Sequence, residues 1–429
     1  MKRQAQREIR VYADWHGLGA PVQMGTLSAT AIRGKEVLAF EYERAWLESA
    51  HRMELDPNLG LYGGPQYARD AHESFGIFLD SSPDRWGRLL MDRREARDAR
   101  LEQRAPRRLT PSDYLLGVHD LHRTGAMRFK LVLEGPFLDD RADLAAPPMA
   151  SLRELEAAAM ALDADHDAPA SDHDKWINML IAPGGSLGGA RPKASIHDLQ
   201  GRLWIAKFPS TRDRRDMGAW EMVLHYLARS AGIDVAESRV QRFGSDHHTF
   251  ITRRFDRMQD GGRIHFASAM TLLGRDDGDD AAAGASYLEF VALLRQRGSR
   301  TATDLAQLWR RIVFFVCVSN TDDHLRNHGF MLDPGAGWRL APAFDMNPVP
   351  EGDGLRLNID EHDNAQDLNL VHSVSEVFGI GKAERDRVID DVAVAVRRWR
   401  DVAAELGIPR QEQDRMAPAF RVADLTPTG

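Results

Sequence analysis

The chain has 429 residues, 43% hydrophobic and 28% charged, with a formal net charge of −8 and one cysteine. It is long enough to bury a large core in two or three domains, and its acidic balance argues against unaided nucleic-acid binding, which draws mainly on phosphate neutralisation. The lone Cys317 excludes an intramolecular disulfide framework and a multi-cysteine zinc site.

The amino terminus, M-K-R-Q-A-Q-R-E-I-R, lacks an apolar h-region, and the longest apolar run, Ile312 to Val318, is far below the ~20 residues of a membrane span. A soluble, cytoplasmic protein with no membrane partner is expected. Ile9 to Glu43 reads as short strands with turns at His16-Gly17 and Arg33-Gly34, and Pro83 to Leu101 as helical, a small α+β unit. Arg88 to Arg108 is rich in arginine, but interspersed acids at i,i+4 spacing suit a solvated helix face. Asp163 to Asp174 (D-A-D-H-D-A-P-A-S-D-H-D) is of low complexity and reads as a linker rather than a metal site, because no rigid element fixes its ligands.

Gly184 to Lys193 (G-G-S-L-G-G-A-R-P-K) is glycine-rich; it is open to reading as a hairpin turn or as a loop whose N–H groups approach anionic oxygens. Leu203 to Pro209 alternates as a strand, with Leu203, Ile205 and Lys207 on one face. Lys207 is either an edge lysine reaching water or a strand lysine that neutralises nucleotide phosphates and requires a partner carboxylate on a following helix. A helix follows from an Asp216 N-cap to Ala231, with Gly232 as stop signal. Its Glu221 sits among Trp220, Met222, Val223 and Leu224, and is open to reading as a surface acid or as the partner of Lys207.

Asp276 to Asp280 (D-D-G-D-D) lacks the pattern of an EF-hand and reads as a surface loop. Beyond it the chain is mainly helical: Tyr287 to Arg297, Thr303 to Val318, and Ala383 to Leu406, the last with Val388, Val392, Val396, Trp399 and Val402 on one stripe. Between them a polar cluster, S-N-T-D-D-H-L-R-N-H-G-F-M (Ser319 to Met331), emerges from an apolar helix, and L-A-P-A-F-D (Leu340 to Asp345) follows. Asp322 stands five positions before Asn327, the D-x-x-x-x-N spacing of a protein-kinase catalytic loop, and Asp345 follows as a second acid after an aromatic. The residue types suit the chemistry: one carboxylate accepts a hydroxyl proton, while an amide oxygen and another carboxylate hold Mg²⁺.

Taken together, G-G-S-L-G-G-A-R-P-K-A, W-I-A-K-F-P, F-D-R (Phe255 to Arg257), the Asp322 loop and L-A-P-A-F-D-M resemble the HipA family of serine/threonine kinase toxins, as do F-G-I-F-L-D-S-S-P-D-R-W-G and D-Y-L-L-G-V-H-D nearer the amino terminus. The resemblance implies an α+β, bilobal protein-kinase-like fold: a small N-terminal α+β domain (1–140), a strand-rich N-lobe (141–258, with a linker at 161–175) and a helical C-lobe (259–429), with ATP in the cleft between lobes. It makes Asp322 the catalytic base, His324 its neighbour, Asn327 and Asp345 the Mg²⁺ ligands, Lys207 a contact to ATP phosphates paired with Glu221, and Phe255 part of the adenine pocket. Arg253 stands where a Glu occurs in the best-known member of the family. Ser186 matches a loop serine whose autophosphorylation switches family members off.

The implied activity is transfer of the ATP γ-phosphate to a protein hydroxyl, an aminoacyl-tRNA synthetase being one candidate target. The implied partner is a small DNA-binding antitoxin of the HipB type, through which any DNA contact is indirect. Two other classes stay open: a catalytically weak ATP-binding relative that serves as a repressor-complex partner, and a small-molecule kinase built on the same Asp, Asn and Asp logic.

Overall fold

The computed structural model describes residues 6–69, 73–141, 146–164, 180 and 191–426; most of the expected linker and the glycine loop with Ser186 lie outside the described residues. By compactness the chain divides into two units, Met1–Thr211 with Asp256–Ala267, and Arg212–Phe255 with Ser268–Gly429. The strand-rich stretch assigned to one lobe from sequence is therefore shared between them.

In the first unit, β1 (Gln6–Ala13), β2 (Val22–Ile32), β3 (Lys35–Tyr42), β4 (Gln66–Tyr67) and β5 (Met127–Lys130) form a sheet in the order β4-β3-β2-β1-β5. The turn expected at Arg33-Gly34 joins β2 to β3 with φ of 50° and 80°, the two left-handed residues that a tight hairpin needs to match strand twist. Ile9, Val11, Leu27, Ala29, Leu38 and Phe40 alternate into the core. The helix Arg85–Leu101 starts where Asp84 accepts the Gly87 N–H at 2.7 Å. Its arginines and those just beyond it meet acids: Arg88 meets Glu73, Arg97 meets Asp98, Arg104 meets Glu95, and Arg107 meets Glu95 and Asp113. Arg123 is fully buried and donates to the carbonyls of Ser81, Leu115, Val118 and Leu138.

The same unit holds the hairpin of β6 (Lys193–His197) and β7 (Leu203–Lys207), in which Lys193 lies opposite Lys207. The expected alternation is present, but Trp204 and Ala206 form the deeply buried face while Leu203, Ile205 and Lys207 are half-buried. Lys193 is 2% exposed and pairs with Asp84 at 2.8 Å, and its carbonyl accepts the Trp86 indole N–H at 3.1 Å.

The second unit contains the helix Met217–Ser230, capped by Asp216 as expected, and the hairpin of β8 (Ser238–Gln241) and β9 (Thr249–Arg253). The helix Ala269–Leu273 follows β10 (Phe266–Ser268), whose first two residues belong to the first unit. The helix Tyr287–Arg297 opens with a Ser286/Glu289 capping box, and Thr301–Val318 follows, buried along most of its second half. A hairpin of β11 (Gly329–Asp333) and β12 (Gly337–Leu340) interrupts the helical pattern. The single helix expected over Ala383 to Leu406 is two, Lys382–Arg397 and Trp399–Glu405. The chain bends at Arg398 (φ −77°, ψ 3°), and Trp399 stacks on Phe420 with ring centroids 4.3 Å apart at 9°.

Candidate active site

The site begins at the carboxyl end of the helix Thr301–Val318, where Ser319 adopts φ 47°, ψ 49° and its N–H bonds the Phe315 carbonyl. A left-handed cap ends the helix abruptly and turns the polar segment out of the core. Asn320, 2% exposed, accepts the Asn347 N–H at 2.9 Å, and the Ser319 carbonyl accepts the Val349 N–H at 3.0 Å. The Ser319 hydroxyl donates to Gln366 Oε1 at 2.6 Å. The segment just after Asp345 is thus hydrogen-bonded to the head of the Asp322 loop.

Within the loop, Asp322 is exposed and Asn327 half-buried. The Asn327 Nδ2 donates to the Asp322 carbonyl at 2.8 Å, and its backbone N–H to the His324 carbonyl at 2.8 Å, closing the short 3-10 turn Leu325–Asn327 that His324 precedes. This spends the amide nitrogen on the loop and leaves the side-chain oxygen outside that bond. Asp323 turns inward at 1% exposure, and burial pushes its carboxyl above the usual range.

The chain leading to Asp345 is held from the helix and from the loop after the Met217–Ser230 helix. Asp304 accepts the Leu340 N–H at 3.0 Å, Arg311 donates to the Ala341 carbonyl at 2.7 Å, and the Ala343 N–H bonds the Asp234 carbonyl at 2.8 Å. Burial raises the pKa of Asp304 and lowers that of Arg311 to about 10. Between these anchors and the Asn347 bond, Asp345 sits at φ 56°, a left-handed conformation that an L side chain rarely adopts. Phe344, one residue earlier, packs on Phe255 with centroids 5.6 Å apart. Asp322, His324, Asn327, Asp345 and Phe255 therefore all lie in the second unit, as does Glu221. Glu221 is 6% exposed, so it is not a surface acid. Lys207 lies in the first unit, half-buried at the end of β7. Ser186 falls outside the described residues.

The family model of the HipA-like C-terminal domain matches residues 185–400, half of the chain. The chain belongs to the HipA family. It is 27% identical over 189 residues to a Haemophilus influenzae protein named "Putative kinase", covering 39% of this chain and 54% of that one. To "Putative kinase Y4dM" of Sinorhizobium fredii it is 26% identical over 244 residues, 53% of this chain and 56% of that one. The chain spans about half the length of these curated relatives. Its fold is similar to HipA of Shewanella oneidensis MR-1, solved in complex with HipB and operator DNA, with a TM-score of 0.66, 17% identity, and coverage of 97% of this chain and 96% of that one. The α+β, kinase-like fold class expected from the sequence is thereby shown.

The family resemblance assigns a metal ion to Asn327 and Asp345, whose side chains carry an amide oxygen and a carboxylate, donor types that hard cations take. Among the described residues, no group of three or more His, Cys, Asp or Glu side chains could hold a metal ion. Sequence reasoning missed the residues that hold the segments of Asn327 and Asp345: Asn320, Asp304, Arg311 and Asp323. Arg311 had a signal, as one of the charges interrupting an apolar helix. Asp323 had none beyond its place beside Asp322.

Proposed function

We propose that this HipA-family chain is an ATP-dependent serine/threonine protein kinase, the toxin of a toxin–antitoxin pair. One observation carries the reading: the loop holding Asp322 and Asn327 and the segment flanking Asp345 are hydrogen-bonded through Asn320 and Ser319, while Asn327 commits its amide nitrogen to the loop. In this reading Asp322 takes the proton of the acceptor hydroxyl as its oxygen bonds the γ-phosphorus of ATP, and the bond to the bridging oxygen breaks to release ADP. Asn327 and Asp345 hold Mg²⁺, which neutralises charge on the phosphates. Lys207, Glu221, Phe255 and His324 take the roles that the family resemblance implies, and Ser186 is the site of inactivating autophosphorylation, where a doubly anionic group repels ATP phosphates.

The acceptor is a protein hydroxyl, an aminoacyl-tRNA synthetase being one candidate, and the partner is a HipB-type antitoxin that supplies any contact with DNA. These proposals draw support from the fold shared with a HipA solved beside HipB and DNA. Incubation with radiolabelled ATP and a bacterial extract tests the enzyme reading: the parent chain is expected to label protein and Asp322→Asn to fall to background. Equal labelling by both removes Asp322 from the mechanism. Phosphoproteomics before and after expression identifies the acceptor, and the absence of any new phosphoserine or phosphothreonine on a cellular protein counts against a protein kinase.

A further inference from the structure

The active loop carries a second pair, one residue out of step with the first. Asp322 and Asn327 are five positions apart and reach solvent; Asp323 and His328 are likewise five apart, but are 1% and 2% exposed. Asp323 Oδ1 accepts the Arg356 N–H at 3.1 Å, and its Oδ2 lies 3.7 Å from His328 Nε2. Neither Oδ2 nor Nε2 has a hydrogen-bond partner among the described residues. Around the imidazole stand the rings of Tyr287, Phe290 and Phe315, at centroid distances of 5.6, 5.0 and 6.0 Å. The His328 carbonyl accepts the Ala269 N–H at 2.8 Å. Buried polar atoms are costly unless they satisfy one another, and with rings around it His328 has Asp323 as its facing polar group. At 3.7 Å the two are just beyond hydrogen-bond length.

We propose that Asp323 and His328 are positioning residues: an inward clasp across the five-residue span that sets how Asp322 and Asn327 are presented outward. Its surroundings come from four other elements: the Arg356 segment, the Ala269–Leu273 helix, the helix Tyr287–Arg297 that carries Tyr287 and Phe290, and the helix Thr301–Val318 that carries Phe315. A span fixed at both inner corners has little freedom at its outer ones. The kinetic consequence rests on the kinase reading above; the clasp itself does not.

The test uses the full chain. Asp323→Ala is expected to lower kcat about 10- to 100-fold, the scale of a small misplacement of reacting groups, with the KM for ATP changed by no more than about threefold. Asp323→Asn, which keeps an acceptor for the Arg356 N–H, is expected to recover most of that loss. Hydrogen exchange supplies a readout independent of catalysis. The amides of Asn327 and Arg356 are expected to exchange faster in Asp323→Ala than in the parent or Asp323→Asn, while the β11–β12 hairpin is unchanged. Should Asp323→Ala not fold, His328→Leu, an apolar fit to the ring-lined site, carries the same expectations. Parent-like kcat with parent-like exchange overturns the proposal. So does a loss of kcat matched by faster exchange throughout the second unit, the mark of a merely structural role. If the parent chain itself transfers no phosphate, the kinase reading fails and the exchange comparison alone decides the clasp.

Discussion

Asp345, the proposed Mg²⁺ ligand, has an unfavourable backbone. At φ 56° it sits where glycine is at ease and where a side chain is retained only because its surroundings demand it. Asp345→Gly is therefore expected to fold with a stability within about 1 kcal/mol of the parent, yet to lose protein labelling. Urea unfolding and radiolabelled ATP check the two halves; labelling at the parent level would show that this carboxylate is dispensable. The D-x-x-x-x-N spacing singles out Asp322 rather than Asp323 in the sequence, because Asp322 alone of the two stands five positions before an Asn. It says nothing of which neighbour turns into the core. The inward phase of Asp323 and His328 depends on aromatic rings of Tyr287, Phe290 and Phe315, two of them from a separate helix, and so was illegible until the chain was folded.

At the scale of elements, legibility followed local signals. Asp216 before its helix and Gly232 as a stop each act through the nearest few residues, and that helix, like Tyr287–Arg297, falls where the sequence placed it. The bend at Arg398 was missed because Val388 to Val402 keeps its stripe across the break; what turns Trp399 is the distant ring of Phe420. The β11–β12 hairpin was missed because its strands are short and lie between helical runs. The β6–β7 hairpin has its own hidden dependence. Lys193 and Asp84, with side chains 3% and 6% exposed, form a buried ion pair. Asp84→Ala is expected to cost about 3–5 kcal/mol by leaving an uncompensated ammonium, while Asp84→Leu combined with Lys193→Met recovers most of it. Chemical denaturation checks both; a double variant no better than Asp84→Ala would mean the helix cap, not the charge pair, is what matters.

For the molecule as a whole, acid sensitivity follows from a buried imidazole. His265 stacks on Trp15 with centroids 5.7 Å apart, and burial pushes its pKa down from 6.5 to about 4. The unfolded chain then binds a proton that the folded chain refuses. The stabilisation is complete above pH 6.5 and is lost as pH falls toward 4, on the order of 3 kcal/mol in all. Urea midpoints at pH 7 and pH 5 are expected to diverge more for the parent than for His265→Gln; an equal drop in both would assign the sensitivity to other groups.

The Asp84–Lys193 bridge and the Trp399–Phe420 stack also bear on how this protein can be dissected. The matched family segment runs from 185 to 400, so it includes Lys193 and Trp399 but excludes Asp84 and Phe420. Excising that block would strand an ammonium at one margin and bare an indole at the other. Expression trials guided by homology limits alone should yield an insoluble stump, and workable truncations must retain both flanks.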